Sequence, residues 1–207
     1  MTCDCGRESA STDTERRTLR IALVLNATMF VVGMAAGLWA QSTGLMADAL
    51  DMLTDAAAYT LSLMAVTRGA QFKRYSARWT SATLLFLNVG IFVDVVRRFI
   101  FGSEPLGGAM IAFSLLSLAV NVTVLRMLSK YREGEVHLRA SWICTRADVI
   151  ANFGVLASGL VVLATGWRYA DLLAGVGIAT YVAKEALEIW RQASDSEERR
   201  RSLQADH

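Results

Sequence analysis

Three aspartates interrupt an otherwise apolar stretch that reads Gly44-Leu-Met-Ala-Asp48-Ala-Leu-Asp51-Met-Leu-Thr-Asp55. On a helix, Asp51 and Asp55 stack on one face with Cβ atoms about 5–6 Å apart, and Asp48 lies one turn away on roughly the same side. The segment Cys144-Thr-Arg-Ala-Asp148 repeats the four-residue step and puts a thiol and a carboxylate on one helix face. Two such pairs on two facing helices supply four ligands. Carboxylates with a thiolate and no further imidazole suit a borderline or soft divalent ion, zinc or cadmium, better than magnesium or calcium. Binding a metal displaces protons from such ligands, which is a physical basis for exchanging metal against protons.

The other polar residues of the apolar stretches divide by what they can reach. Asp48 either faces the same cavity or is held structurally by a neighbouring helix, and Asp94 has the same two readings. Asn26, Asn88, Asn121 and Asn152 are expected as hydrogen-bond links between helices, with Asn26 and Asn152 able to line a cavity. Arg146 stands about 200° around the helix from Cys144, so it is expected away from the ligands. Taken alone, Cys144 also reads as a small apolar filler. Asp171 is expected as a solvated or capping residue. Cys3, Cys5 and His137 are candidates for capturing a soft metal on its way in, although Cys3-Asp-Cys5 equally reads as an incidental feature of a polar tail.

Lipid-buried helices must carry these groups. The chain has 207 residues, 54% of them hydrophobic, which exceeds what a soluble domain of this size carries. A net charge of +2 with dispersed basic residues excludes a nucleic-acid partner. Runs of about 20 residues, the length of a bilayer crossing, occur at 19–40, 44–66, 79–101, 107–129, 139–164 and 168–190. The expected fold is therefore all-α and polytopic, with six transmembrane helices over 19–190, an N-terminal tail over 1–18 and a short C-terminal tail over 191–207. Residues 1–18 are polar and do not read as a secretory signal. Pro105 with Gly102, Gly107 and Gly108 marks one turn, and Gly44 and Gly166 mark two more.

Lys and Arg gather beside alternate span ends, around Arg16 and Arg17, Lys73 and Arg74, Lys130 and Arg132, and Arg199 to Arg201, whereas Arg97, Arg98 and Arg168 are alone on the other side. Positive charge is retained in the cytoplasm, so both termini are expected there. Trp39, Trp79, Trp142, Trp167 and Trp190 fall near span ends, as indoles at a headgroup region do. Gly33 and Gly37 have the spacing that lets two helices approach closely.

These segments resemble the cation diffusion facilitators. Leu45 to Asp55 looks like that family's first metal-binding motif, the stretch from Arg139 through Cys144, Asp148 and Asn152 like its second, and Trp167-Arg-Tyr-Ala-Asp171 like the start of its last helix. The resemblance covers roughly 19 to 190. It implies a proton-coupled exporter of a divalent metal in the bacterial inner membrane, working by alternating access and as a homodimer, with Asp51, Asp55, Cys144 and Asp148 as ligands. No bound cofactor is implied, only the transported ion, protons and membrane lipid. Family members commonly have histidine where this chain has Cys144, a change that moves the preference toward softer ions. The chain ends soon after the sixth run, so the family's cytoplasmic metal-sensing domain is expected to be absent and a dimer to form through membrane helices. A histidine-rich loop is also missing, which leaves Glu133, Glu135 and His137 between the fourth and fifth runs.

Two other functions compete. A membrane phosphotransferase of the CDP-alcohol class also uses an Asp-x-x-x-Asp step, but its Asp-Gly and Ala-Arg elements are missing around Asp48 to Asp55. A nontransporting membrane subunit leaves the polar pairs unexplained. The charge asymmetry gives a direct prediction: a reporter fused to the C-terminus is active only if its activity belongs to the cytoplasm. A C-terminal fusion active only in the periplasm would overturn the six-span orientation.

Overall fold

An apolar segment in lipid satisfies its own backbone polar groups only as a helix or in a closed barrel. The computed structural model describes residues 13–65, 70–129 and 136–205, with side chains over 16–64, 75–129, 145–191 and at 194. All six expected segments are helices: α1 (Asp13–Trp39), α2 (Thr43–Ala65), α3 (Ala70–Phe101), α4 (Gly107–Ser129), α5 (Val136–Thr165) and α6 (Tyr169–Ala205). No strand occurs among the described residues. Three stretches, Arg16–Trp39, Gly107–Ser129 and Thr145–Thr165, are long and apolar enough to cross a membrane by length and composition alone. The remaining helices carry more polar residues, and many of these, including Asp48, Asp51, Asp55, Asn88 and Asp171, are buried within the bundle.

Helix ends differ from those expected. α1 begins at Asp13 rather than at 19, and α3 at Ala70 rather than 79, so the stretch around Lys73 is helix instead of loop. α6 continues to Ala205, through most of the expected tail. Hydropathy marks the lipid-covered part of a helix, whereas backbone hydrogen bonding continues into water wherever residues such as Arg, Lys, Gln and Glu favour it. Cys3, Cys5 and the stretch around Arg132 lie outside the described residues, as do the side chains of His137, Trp142 and Cys144.

α2 sits at the centre and touches every other helix, while α1 packs on α2, α4 on α5, and α3 on α6. The α1–α2 contact depends on the Gly33–Gly37 pair. A Cβ on Gly37 would lie 2.6 Å from Met46 Cγ and 2.9 Å from the Met46 backbone nitrogen, and one on Gly33 would lie 3.1 Å from Ala49 Cβ. Larger residues would push α1 away from the helix that carries the aspartates. Leu50, Leu84, Met110, Val155 and Val182 fill the interior, while Val31, Phe86, Val93 and Leu163 are exposed where lipid would cover them. Trp39, Trp79, Trp167 and Trp190 are exposed too.

The three described connections, 40–42, 102–106 and 166–168, meet at one end of the bundle. Leu106 N donates to Ala40 O at 3.0 Å, and Phe99 packs on Tyr169 with ring centroids 5.8 Å apart. Gly102 turns at φ 89°, a conformation that favours glycine, and a Cβ there would also lie 2.8 Å from an Arg168 guanidinium nitrogen. Asp171 does more than cap its own helix. It is fully buried and accepts from Thr43 N at 2.8 Å, Gly44 N at 3.0 Å and Ser42 Oγ at 2.5 Å, with Thr43 Oγ1 at 3.2 Å. A carboxylate from α6 thus satisfies the free amides that open α2, where the helix dipole favours negative charge.

Removing this carboxylate strands buried donors, so Asp171→Ala is expected to destabilise the folded bundle by about 1.5–3 kcal/mol. Asp171→Asn, which retains an acceptor oxygen, should lose less. Thermal unfolding of purified protein in detergent measures both, and a midpoint unchanged in Asp171→Ala would refute the link.

Candidate metal centre

α2 starts at the Asp171 link and carries Asp48, Asp51 and Asp55 down into the bundle, where their exposures are 3%, 4% and 8%. α5 runs past it in the opposite direction. Their levels are matched by Tyr59 Oη, which lies 3.1 Å from Thr145 Oγ1 and also reaches Asp55 Oδ2 at 3.5 Å. One turn along α5 from Thr145, Asp148 is buried and in side-chain contact with both Asp51 and Asp55. Three carboxyls from two helices therefore meet in the interior.

Asp148 reaches both aspartates of α2. Cys144 belongs to α5 and precedes Thr145, so its backbone stands near the level of Tyr59, beyond Asp55. Among the described residues, no group of three or more His, Cys, Asp or Glu side chains is gathered tightly enough to hold a metal ion. The three carboxyls are neighbours in the interior. One oxygen, Asp148 Oδ2, is buried with no hydrogen-bond partner.

Asp48 has a different environment. Asn152 Nδ2 donates to Asp48 Oδ1, Ser117 also bonds it, and Asn121 Nδ2 donates to Asn152 Oδ1 at 3.1 Å. This chain of polar groups ties α2 to α5 and α4. Asn88 Nδ2 likewise links α3 to α6 through Ala179 O at 2.8 Å. Asn26 departs from that role: its Nδ2 bonds Ala22 O of its own helix at 3.0 Å, and its Oδ1 is buried without a partner. Asp94 is ion-paired to Arg97 at 2.7 Å and to Arg98, whose Nη2 lies 3.8 Å from Met46 Sδ. Arg146 is on the exposed side of α5.

Sequence reading missed Glu185. This α6 glutamate is near enough to Asp51, Asp55 and Asp148 to act on all three electrostatically. Its available signal was an acidic residue inside an expected span, obscured by the adjacent Lys184 and by distance along the chain from both aspartate motifs.

Residues 19–196 match a family model described as the cation efflux transmembrane domain. The chain is similar to a zinc transporter, ZitB, of Yersinia pestis, at 30% identity over 90% of this chain and 63% of that protein. It is also similar to the metal cation efflux system protein CzcD of Cupriavidus metallidurans, at 28% identity over 80% of this chain and 56% of that protein. A cadmium, cobalt and zinc/H(+)-K(+) antiporter of Bacillus subtilis matches at 20% identity over 86% of this chain and 62% of its own length. The chain thus spans less than two-thirds of each of these relatives. With a family match extending across all six helices, the chain belongs to the cation efflux family, the cation diffusion facilitators, and forms its polytopic transmembrane domain.

Proposed function

We propose that this protein moves a divalent transition metal of the zinc or cadmium class out of the cytoplasm across the bacterial inner membrane, in exchange for protons, by alternating access. The observation that carries this reading is the meeting of Asp51, Asp55 and Asp148 inside the bundle. Each aspartate at mid-membrane costs about 2.5–3.5 kcal/mol to insert, and such groups persist where they line an ion or proton path. Two carboxyls in contact share a proton or a cation. Replacing one by the other is the elementary event of metal/proton exchange.

Asp51, Asp55, Cys144 and Asp148 are the ligands in this reading, with Asn26, Asn152 and Asp48 around them and Cys3, Cys5 and His137 as capture residues nearer the cytoplasm. Zinc, cadmium and cobalt transport by the similar proteins favours the same ion class here. Members of this family are transporters, which removes the phosphotransferase reading. Both termini are cytoplasmic and the protein works as a homodimer in the same proposal.

Purified protein in liposomes with an imposed proton gradient tests the function, offered zinc, cadmium, cobalt, manganese and iron in turn. Gradient-dependent uptake of zinc or cadmium is expected. No uptake of any ion would leave a nontransporting subunit as the reading. Asp51→Ala, Asp55→Ala and Asp148→Ala should each insert normally and abolish transport, whereas Asp48→Ala should be milder because its carboxyl is held by Asn152 and Ser117. Wild-type rates in the first three variants would refute the site.

Cys144 decides the softness of the ion in this proposal, since a thiolate favours cadmium more than an imidazole does. Cys144→His should retain transport and lower the cadmium-to-zinc preference. Cys144→Ser should weaken both ions. Competition between the two metals at one pH and one gradient gives the ratio, and identical ratios and affinities in all three proteins would make Cys144 a packing residue.

A further inference from the structure

Glu185 stands where depth and helix face both direct it at the metal centre. Thr43 of α2 and Asp171 of α6 are at one level, joined by the 2.8 Å bond between them. From there α2 descends 12 residues to Asp55, about 18 Å, and 16 to Tyr59, about 24 Å, at 1.5 Å per residue. α6 descends 14 residues to Glu185, about 21 Å. Glu185 is therefore level with the interval between Asp55 and Tyr59, which is also the level of Cys144, the neighbour of Thr145.

Rotation agrees with depth. Asp171, Gly175, Ile178 and Val182 form a buried stripe at steps of three and four residues, which buried Ala186 continues with half-buried Glu185 at its border. A Cβ on Gly175 would lie 3.0 Å from Thr43, so the stripe faces α2. Tyr181 Oη, one turn earlier, lies 2.6 Å from Glu185 Oε1 and donates to it, leaving Oε2 as an acceptor. Tyr181 also borders a cleft of about 330 Å³ between α5 and α6, lined by Ala147 and Ala151 on either side of Asp148. Independently, Asp148 is 3% exposed and holds Oδ2 in the interior with no partner, an arrangement that calls for a ligand to complete it.

We propose that Glu185 is a ligand of the transported cation, a fourth carboxylate contributed by α6 at the end of the site away from Asp171 and positioned by the Tyr181 hydroxyl. This rests on Asp51, Asp55 and Asp148 binding metal. It makes the site a three-helix one, and it adds a carboxylate oxygen donor, so that manganese, which suits carboxylates, is accepted beside zinc.

Co2+ binding to the purified full-length chain in detergent, followed by its visible absorption spectrum, tests the assignment. Glu185→Gln should weaken Co2+ by more than the roughly 10- to 100-fold that loss of an outer-shell partner costs and change the spectrum, because the coordination shell loses an oxygen. Glu185→Asp should fall between it and the wild type, and Tyr181→Phe should give a smaller loss with the spectrum retained. Asp51→Asn separates the two levels of inference. If Asp51→Asn abolishes binding while Glu185→Gln keeps wild-type affinity and spectrum, Glu185 lies outside the coordination shell and this proposal alone fails. Wild-type binding by Asp51→Asn would remove the metal reading of the whole site. Loss of helical circular dichroism in both Glu185 variants would make the residue a packing element and overturn its role as a ligand.

Discussion

Ionisable side chains in a lipid-embedded bundle must be enclosed by protein, because hydrocarbon offers nothing to hydrogen-bond them. Much of the arrangement follows from enclosing the aspartates of α2. That helix is placed where every other helix can touch it, and each polar residue along it meets a specific partner. Asp171 receives its amino-terminal amides, Asn152 and Ser117 bond Asp48, Asp148 meets Asp51 and Asp55, and Tyr59 reaches Thr145.

The link between α6 and the start of α2 gives the site a fixed origin. A helix is stiff along its axis, so fixing its first turn fixes the depth of everything it carries. Asp171 acts on Ser42, Thr43 and Gly44 and never approaches the carboxyl cluster, yet it sets the level at which Asp48, Asp51, Asp55 and Glu185 stand. The same bond joins the helix bearing two proposed ligands to the helix bearing a third.

The polar network divides into two parts of different character. Asp48, Asn152 and Asn121 are mutually bonded, which fixes α2, α5 and α4 relative to one another. Among the described residues no amide bonds Asp51, Asp55 or Asp148; Asp55 takes the Tyr59 hydroxyl at 3.5 Å, and Asp148 Oδ2 has no partner. Under the proposed function this difference is expected, because ligands that release an ion cannot be permanently satisfied by neighbouring amides. The close approach of α1 at Gly33 and Gly37 belongs to the scaffold, since it shields α2 on a side where Val24 and Val31 face outward.

The sequence by itself determined the six helices, the aspartate pair and the Cys144-to-Asp148 step, because apolar run length and four-residue spacing are local properties of a chain. It also placed Asn88, Asn121 and Asn152 as links between helices. Helix ends were less legible, since α1, α3 and α6 continue past the apolar runs where hydropathy carries no signal. Only the tertiary structure decided which groups meet. Asp148 reaches both aspartates, Asp171 bonds residues 127 to 129 positions away, and Glu185 lies within electrostatic range of carboxyls from two other helices. Those contacts depend on the rotation and depth of one helix against another, quantities set by packing around α2 and absent from the spacing within any single segment.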